Sequence, residues 1–238
     1  MKRLFDIVVS LAGLVLLFPL LLLVAVLVKA DSSGPIFFRQ ERMGRRFCPF
    51  LIYKFRTMVW DAWGKGWTIT VGNDPRITRV GRLLRATKID ELPQLINVFK
   101  GEMSLVGPRP ELRQFVELFQ RDYQAILRVR PGITDLASLK YRDEAHVLGN
   151  AESAEEEYIQ YILPDKISLA KDYLQRSSFL FDLSLIFKTL LSLFSYTSEL
   201  KQRHGTQSLH DSISLSQTTD VQPTITNPVS SSHDRRNA

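Results

Sequence analysis

The sequence predicts an α+β protein in which an N-terminal re-entrant membrane helix precedes a compact, helix-rich cytoplasmic domain carrying a short β-hairpin. Three observations predict it. Ile7 to Val28 is a run of 22 residues without a charge, divided by Pro19. Two aromatic-rich runs, Ile36–Gln40 and Phe50–Phe55, flank a Gly44-Arg45-Arg46 turn. Leu92, Leu95, Ile96 and Phe99 follow the i, i+3, i+4, i+7 spacing of an amphipathic helix.

At 238 residues the chain holds one ordinary domain plus extras. With 24% charged and 45% hydrophobic residues it is neither wholly disordered nor a multi-span membrane protein. A formal charge of +6 and a pI near 9.5 favour anionic partners: nucleic acid, phosphorylated ligands or an acidic lipid surface. Cys48 is the only cysteine, so no internal disulfide forms. The four histidines lack a zinc-ligand spacing.

The apolar run is longer than a signal-peptide core of about 7–15 residues and ends without a small-residue cleavage site, so it stays attached. Lys2 and Arg3 lie on one flank, Lys29, Arg39 and Arg42 past the other. Both flanks are therefore cytoplasmic by the positive-inside rule. Pro19 removes a backbone donor and can bend the helix back into one leaflet. An ordinary spanning helix is the alternative, since proline is tolerated there. Phe179 to Phe194, interrupted by Asp182, Ser184, Lys188 and Ser192, reads as an interfacial helix or an amphipathic core helix. Trp60, Trp63 and Trp67 form either a membrane-dipping loop or a buried cluster.

From Asn73 to Lys88, basic residues recur at every third position (Arg76, Arg79, Arg82, Arg85, Lys88) and wind around an α-helix. Pro93 fits only a first helical turn, which starts the next helix near Asp90-Glu91, and Gly101 stops it. Val106-Gly107-Pro108-Arg109-Pro110 reads as a rigid loop, Glu111 to Arg128 as one helix, and 152–176 as helices broken at Pro164. Only seven of the 38 residues from 201 to 238 are hydrophobic, too few to offset ordering entropy, so this tail is expected to be disordered. The domain organisation is 1–30 membrane helix, 31–200 globular domain with interfacial helices, 201–238 polar tail.

Asp90-Glu91 carries the chemistry. A carboxylate at a helix start can be a simple cap. Here arginines precede it and Pro108-Arg109-Pro110 follows, so a phosphate site with a metal ion is the sharper reading. That arrangement permits phosphoryl transfer, with a carboxylate as nucleophile or as Mg²⁺ ligand.

The strings Asn73-Asp-Pro-Arg-Ile-Thr-Arg-Val-Gly-Arg-Leu-Leu-Arg85, Asp90-Glu-Leu-Pro-Gln94 and Gly101-Glu-Met-Ser-Leu-Val-Gly-Pro-Arg-Pro110 resemble the bacterial sugar transferases. These are monotopic phosphoglycosyl transferases acting on a polyprenyl phosphate carrier. Lys54-Phe55-Arg56-Thr57-Met58, Arg130-Pro131-Gly132-Ile133-Thr134 and Ile162-Leu163-Pro164-Asp165-Lys166 match as well, over roughly residues 1–195. The resemblance implies transfer of a sugar 1-phosphate from a UDP-sugar to undecaprenyl phosphate, with UMP released. It implies Asp90 as nucleophile, forming a covalent phosphosugar–enzyme, and Glu91 as the companion carboxylate holding Mg²⁺. Arg85 and Arg130 would bind phosphate, the Pro108-Arg109-Pro110 loop the nucleotide, and Lys54 and Arg56 are further candidate substrate-binding residues. Pro19 would be the membrane bend, with the globular domain on the cytoplasmic face of the bacterial inner membrane. Further copies of the chain and downstream glycosyltransferases are candidate partners.

Two positions depart from the family pattern: Phe18 stands where a serine often precedes the helix-bending proline, and Asp135 follows Thr134 where glycine is common. A nucleic-acid-binding role is disfavoured, because much of the basic excess flanks the apolar run and no nucleic-acid motif is present. The rival within the resemblance is a non-catalytic membrane scaffold of a glycan assembly complex, against which the intact carboxylate pair argues.

Overall fold

The computed structural model describes residues 1–60, 74–142, 144, 148 and 153–192. The apolar run forms two helices, α1 (Lys2–Leu16) and α2 (Phe18–Asp31), bent by 62° at Leu17. Pro19 sits in the first turn of α2, where its missing N–H removes no helical bond. Among the described residues no single helix is long and apolar enough to cross a membrane. Val15, Leu16, Phe18, Leu22 and Leu23 are exposed at the bend, whereas Val24 and Val28 pack against Phe55 and Leu84.

Both ends of this bent pair are tied down by polar contacts. At the start of α1, the Asp6 carboxylate accepts from Ser104 Oγ (2.9 Å) and Leu105 N (3.1 Å). Lys2 Nζ donates to Val106 O, the Tyr173 hydroxyl and Asp182 Oδ2. At the far end, the Asp31 carboxylate accepts from Val80 N.

The expected hairpin is present and longer than the aromatic runs. β1 (Phe37–Met43) pairs antiparallel with β2 (Pro49–Phe55), from Phe37 opposite Phe55 to Met43 opposite Pro49. Next comes α3 (Arg79–Thr87), whose N-cap Thr78 accepts from Gly81 N. The arginine series therefore enters a helix only at Arg79; Arg76 lies in the preceding turn, paired with Asp74. α4 (Gln94–Lys100) starts later than expected, because Asp90-Glu91 occupies a separate 3₁₀ turn, Ile89–Glu91.

Past Gly101 a second sheet appears that the sequence reading did not include, with Val106 in the segment expected to be loop. β3 (Ser104–Val106) pairs parallel with β4 (Gly132–Thr134), Ser104 opposite Gly132 and Val106 opposite Thr134. Three-residue strands are too short to show a period. Glycine is required here: a Cβ on Gly132 would lie 2.1 Å from Gly107 N.

The helix expected from Glu111 to Arg128 is broken at Phe119 (φ −118°, ψ 38°) into α5 (Arg113–Leu118) and α6 (Gln120–Ile126). α7 (Leu136–Lys140) follows β4. Conversely, Pro164 breaks nothing. A turn of helix, Ala154–Glu157, runs through a π turn, Tyr158–Ile162, into α8 (Leu163–Arg176), whose first turn tolerates the proline. Phe115, Tyr123, Ile126, Tyr158, Leu163 and Ile167 form the main core.

The last described helix, α9, spans 179–192. It combines the two readings offered for it, burying Leu185 and Asp182 while Leu180, Phe187, Leu190 and Leu191 stay exposed. Of the tryptophans only Trp60 is described, and it is exposed; Trp63, Trp67 and the 201–238 tail lie outside the described residues.

Candidate active site

Lys88, in the left-handed region at φ 59°, ends α3 and turns the chain into the Ile89–Glu91 turn. That turn buries Asp90 to 7% exposure and aims Glu91 at two cations. The first cation comes from β2. Period-2 alternation puts Phe50, Ile52 and Lys54 on one face, so the strand that buries two core side chains also carries Lys54 inward. Lys54 Nζ donates to Glu91 Oε1 at 2.8 Å. The second is Arg109, whose Nη2 reaches Oε1 at 2.5 Å and Nη1 reaches Oε2 at 3.3 Å. Arginine suits this two-pronged grip on a carboxylate.

Asp90 is treated differently. Its Oδ1 is buried and, among the described residues, accepts no hydrogen bond. Burial, reinforced by the neighbouring Glu91 charge, pushes its carboxyl up to about 6, against the opposing pull of Lys54, Lys88 and Arg85. For Glu91 burial also works upward, but Arg109 and Lys54 overcome it and hold the carboxyl well below its ordinary value. Burial lowers Lys54 despite Glu91, whereas Glu91 raises Arg109. The turn thus holds one carboxylate locked in an ion pair and one whose charge is poorly compensated.

Arg85 lies close enough for its charge to favour ionised Asp90, and its Nε is fixed by Thr57 Oγ1 at 2.8 Å. The Pro108-Arg109-Pro110 loop continues β3, and its two prolines are buried, so they shape the loop while Arg109 projects to Glu91. Arg130 does not join the carboxylates through any described bond; its Nε donates to Gly101 O at 2.8 Å. Arg56 is engaged elsewhere. Its guanidinium donates to Val28 O, Ser32 O, Ser33 O, Pro35 O and Ser32 Oγ, capping the exit of α2. Lys54, Arg85, Asp90, Glu91 and Arg109 therefore converge, while the described bonds of Arg56 and Arg130 go to groups outside this cluster.

Two residues carry more than the sequence reading gave them. Gln94, one helical turn beyond Asp90, is only 1% exposed with Nε2 unpartnered among the described residues. Arg42 reaches the loop from β1, Nη1 lying 3.5 Å from Pro110 O and 3.6 Å from Glu111 Oε2. Arg42 shares β1 with Arg39 and Glu41, so its charge alone did not single it out.

Among the described residues no group of three or more His, Cys, Asp or Glu side chains converges to hold a metal. Magnesium does not need one, because it commonly binds through one or two carboxylates plus substrate phosphates and waters. Among the described residues Asp90 Oδ1 is unpartnered and Glu91 Oε2 accepts a single bond, so acceptor capacity remains on both carboxylates. The donor set fits such an ion.

The family model described as Bacterial sugar transferase matches residues 1–196. The chain is 39% identical to a UDP-N-acetylgalactosamine-undecaprenyl-phosphate N-acetylgalactosaminephosphotransferase of Aeromonas hydrophila, over 82% of this chain and 44% of that one. It is also 39% identical to a UDP-glucose:undecaprenyl-phosphate glucose-1-phosphate transferase of Caulobacter vibrioides, over 82% of this chain and 70% of the relative. With the exopolysaccharide production protein ExoY of Sinorhizobium fredii it shares 35% identity, covering 79% and 83% of the two chains. It thus spans less than half the length of the Aeromonas relative and most of the length of the other two.

Proposed function

The chain belongs to the bacterial sugar transferase family, and on that premise we propose that it moves a sugar 1-phosphate from a UDP-sugar to undecaprenyl phosphate through a phosphosugar on Asp90. The observation that carries the assignment is the inequality of the two carboxylates. Glu91 is paired with both Lys54 and Arg109, whereas Asp90 keeps a buried oxygen without a partner among the described residues. A desolvated, uncompensated carboxylate is the better nucleophile of the pair.

In the first half-reaction an Asp90 oxygen attacks the phosphorus next to the sugar. The bond from that phosphorus to the bridging oxygen breaks, and UMP leaves with the electron pair. In the second, an oxygen of the carrier phosphate attacks the same phosphorus, releasing Asp90 as carboxylate and leaving the sugar on a polyprenyl diphosphate. Arg85 and Arg109 offset charge on the diphosphate, and Lys54 keeps Glu91 ionised and oriented. Mg²⁺, held by Asp90 and Glu91 together with donor phosphate oxygens, would supply further charge neutralisation there.

We further propose that α1 and α2 form a re-entrant hairpin in the cytoplasmic leaflet of the bacterial inner membrane. At 15 and 14 residues, each arm is about 21–22 Å long, short of a hydrocarbon core about 30 Å thick. The 62° bend and the exposed apolar side chains of α2 and α9 support a protein seated in one leaflet. There the carrier phosphate lies at the headgroup plane, level with the site.

The test is nucleotide release by the detergent-solubilised full chain with Mg²⁺, undecaprenyl phosphate and a panel of UDP-sugars. The panel includes UDP-glucose and UDP-N-acetylgalactosamine, because the relatives' names carry both sugars. Multiple-turnover UMP release that depends on the carrier supports the reading. UDP or inorganic phosphate as product, or no product with any donor, overturns it.

A further inference from the structure

Pro108-Arg109-Pro110 has one backbone donor, the Arg109 N–H, because neither proline carries one. A buried donor left unpaired is costly, so what accepts from it governs where the loop sits. The acceptor is a side chain: Asp135 Oδ2, 3.0 Å from Arg109 N. Asp135 is 2% exposed, and its other oxygen, Oδ1, accepts from Ser138 N at 2.7 Å and caps α7. One carboxylate therefore joins the loop to α7. The loop's other contacts are backbone bonds, Gly132 N donating to Pro108 O at 3.0 Å and Gly107 N to Thr134 O at 3.1 Å, and a long one from Arg42 Nη1 to Pro110 O at 3.5 Å. Asp135 is thus the side chain that grips the arginine's own peptide group, while that arginine's guanidinium grips Glu91.

We infer that Asp135 is a positioning residue for donor binding: it latches the Arg109 peptide so that the guanidinium meets Glu91 and the donor diphosphate in one fixed place. It touches no reacting atom. Its effect passes through Arg109, and it falls on nucleotide binding more than on the chemical step. The inference rests on the proposed reaction.

Asp135→Asn separates the latch from the cap. Asparagine is as good an N-cap as aspartate, so its one oxygen can stay on Ser138 N while its amide N–H₂ faces the Arg109 N–H, donor against donor. For the full chain in detergent, the expected result is a rise of about tenfold or more in KM for the UDP-sugar, the lower end for a lost hydrogen bond to a charged group. The turnover number should stay within about threefold, and UMP affinity by titration should fall in step with KM. In an Arg109→Ala background, Asp135→Asn should change KM less than about twofold, since the group it positions is gone. Asp135→Ser, which retains a capping hydroxyl, makes the same measurement if the asparagine variant does not accumulate. An unchanged KM and UMP affinity, or an equal loss with and without the Arg109 side chain, overturns the inference. Failure of the unsubstituted chain to release UMP is a separate outcome: it overturns the reaction, and UMP titration then still reads the latch.

Discussion

Asp90→Asn should stabilise the fold at neutral pH while abolishing turnover. Burial and the Glu91 charge raise the Asp90 carboxyl from its ordinary 3.8 to about 6. A carboxyl with a higher pKa folded than unfolded binds more protons in the native state. Its ionisation therefore lowers stability as pH rises from about 4 to about 6, and the loss is complete above that window. At about 1.4 kcal/mol per pH unit the ionised form costs the folded protein about 2–3 kcal/mol. Asparagine keeps the shape and removes the charge. At about 2–4 °C per kcal/mol for a domain of this size, its Tm at pH 7.5 should exceed the parent's by about 4–12 °C. The gap should shrink to about a third near pH 4.5, where the folded parent's Asp90 is protonated but the unfolded carboxyl is still mostly ionised. Thermal unfolding of both proteins in one detergent, at both pH values, measures this, with UMP release as the activity control. A variant no more stable than the parent at pH 7.5, or a gap at pH 4.5 as large as at pH 7.5, refutes the view that Asp90 is a desolvated, under-compensated charge.

The same carboxylate sets an acid limit on activity: initial rates should fall as pH drops through about 6, because the nucleophile becomes protonated, and a flat profile down to pH 4.5 would remove it from that role. Lys54→Met should shift this limit to higher pH, since the Lys54 charge pulls the Asp90 carboxyl down; a shift the other way would show that Lys54 does not act on Asp90. Arg56→Gln should lower stability by about 3 kcal/mol, through carbonyls of the α2 exit left unpaired, and leave KM for the donor within about twofold; a selective KM rise in a normally stable variant would return Arg56 to substrate binding. In a Cys48→Ser background, single cysteines at position 2 and at Glu117 should both be labelled only from the cytoplasmic side; labelling of position 2 from outside would establish a spanning helix.

Elements that leave a period or a covalent constraint in the sequence were legible. The hairpin showed as two aromatic runs about a turn, and the bent pair as an apolar run containing Pro19, although the bend falls at Leu17 and the two helices together extend past the uncharged run at both ends. The β3–β4 pair was illegible, because three residues cannot display alternation and the partners are 28 positions apart, Ser104 to Gly132. The break at Phe119 carries no glycine or proline. Within the site, Asp90, Glu91, Arg85 and Arg109 stood out as charges at a turn and in a proline-fixed loop. Their division of labour did not, since it depends on which cations reach Glu91 across 37 and 18 residues of chain. Arg56 and Lys54 looked equivalent in one motif. At i and i+2 they would share a face of one strand, but β2 ends at Phe55, so Arg56 escapes that alternation and turns to the exit of α2.

That short motif also explains how the bent pair and the carboxylates are held in one frame. Lys54 binds Glu91, Arg56 binds the last turn of α2, and Thr57 Oγ1 accepts from Arg85, all within four residues of one chain segment. The contact between α3 and this segment allows no slack: a Cβ on Gly81 would lie 2.1 Å from Thr57 O. Displacing the exit of α2 therefore displaces the residues that fix Glu91 and Arg85 as well. On the proposed membrane seating, a hairpin attached in this way would set the height of Asp90 above the bilayer, where the carrier phosphate would be held by its own lipid chain. Proximity at the headgroup plane would then supply part of the rate that the proposed carboxylate nucleophile, a weak one, lacks.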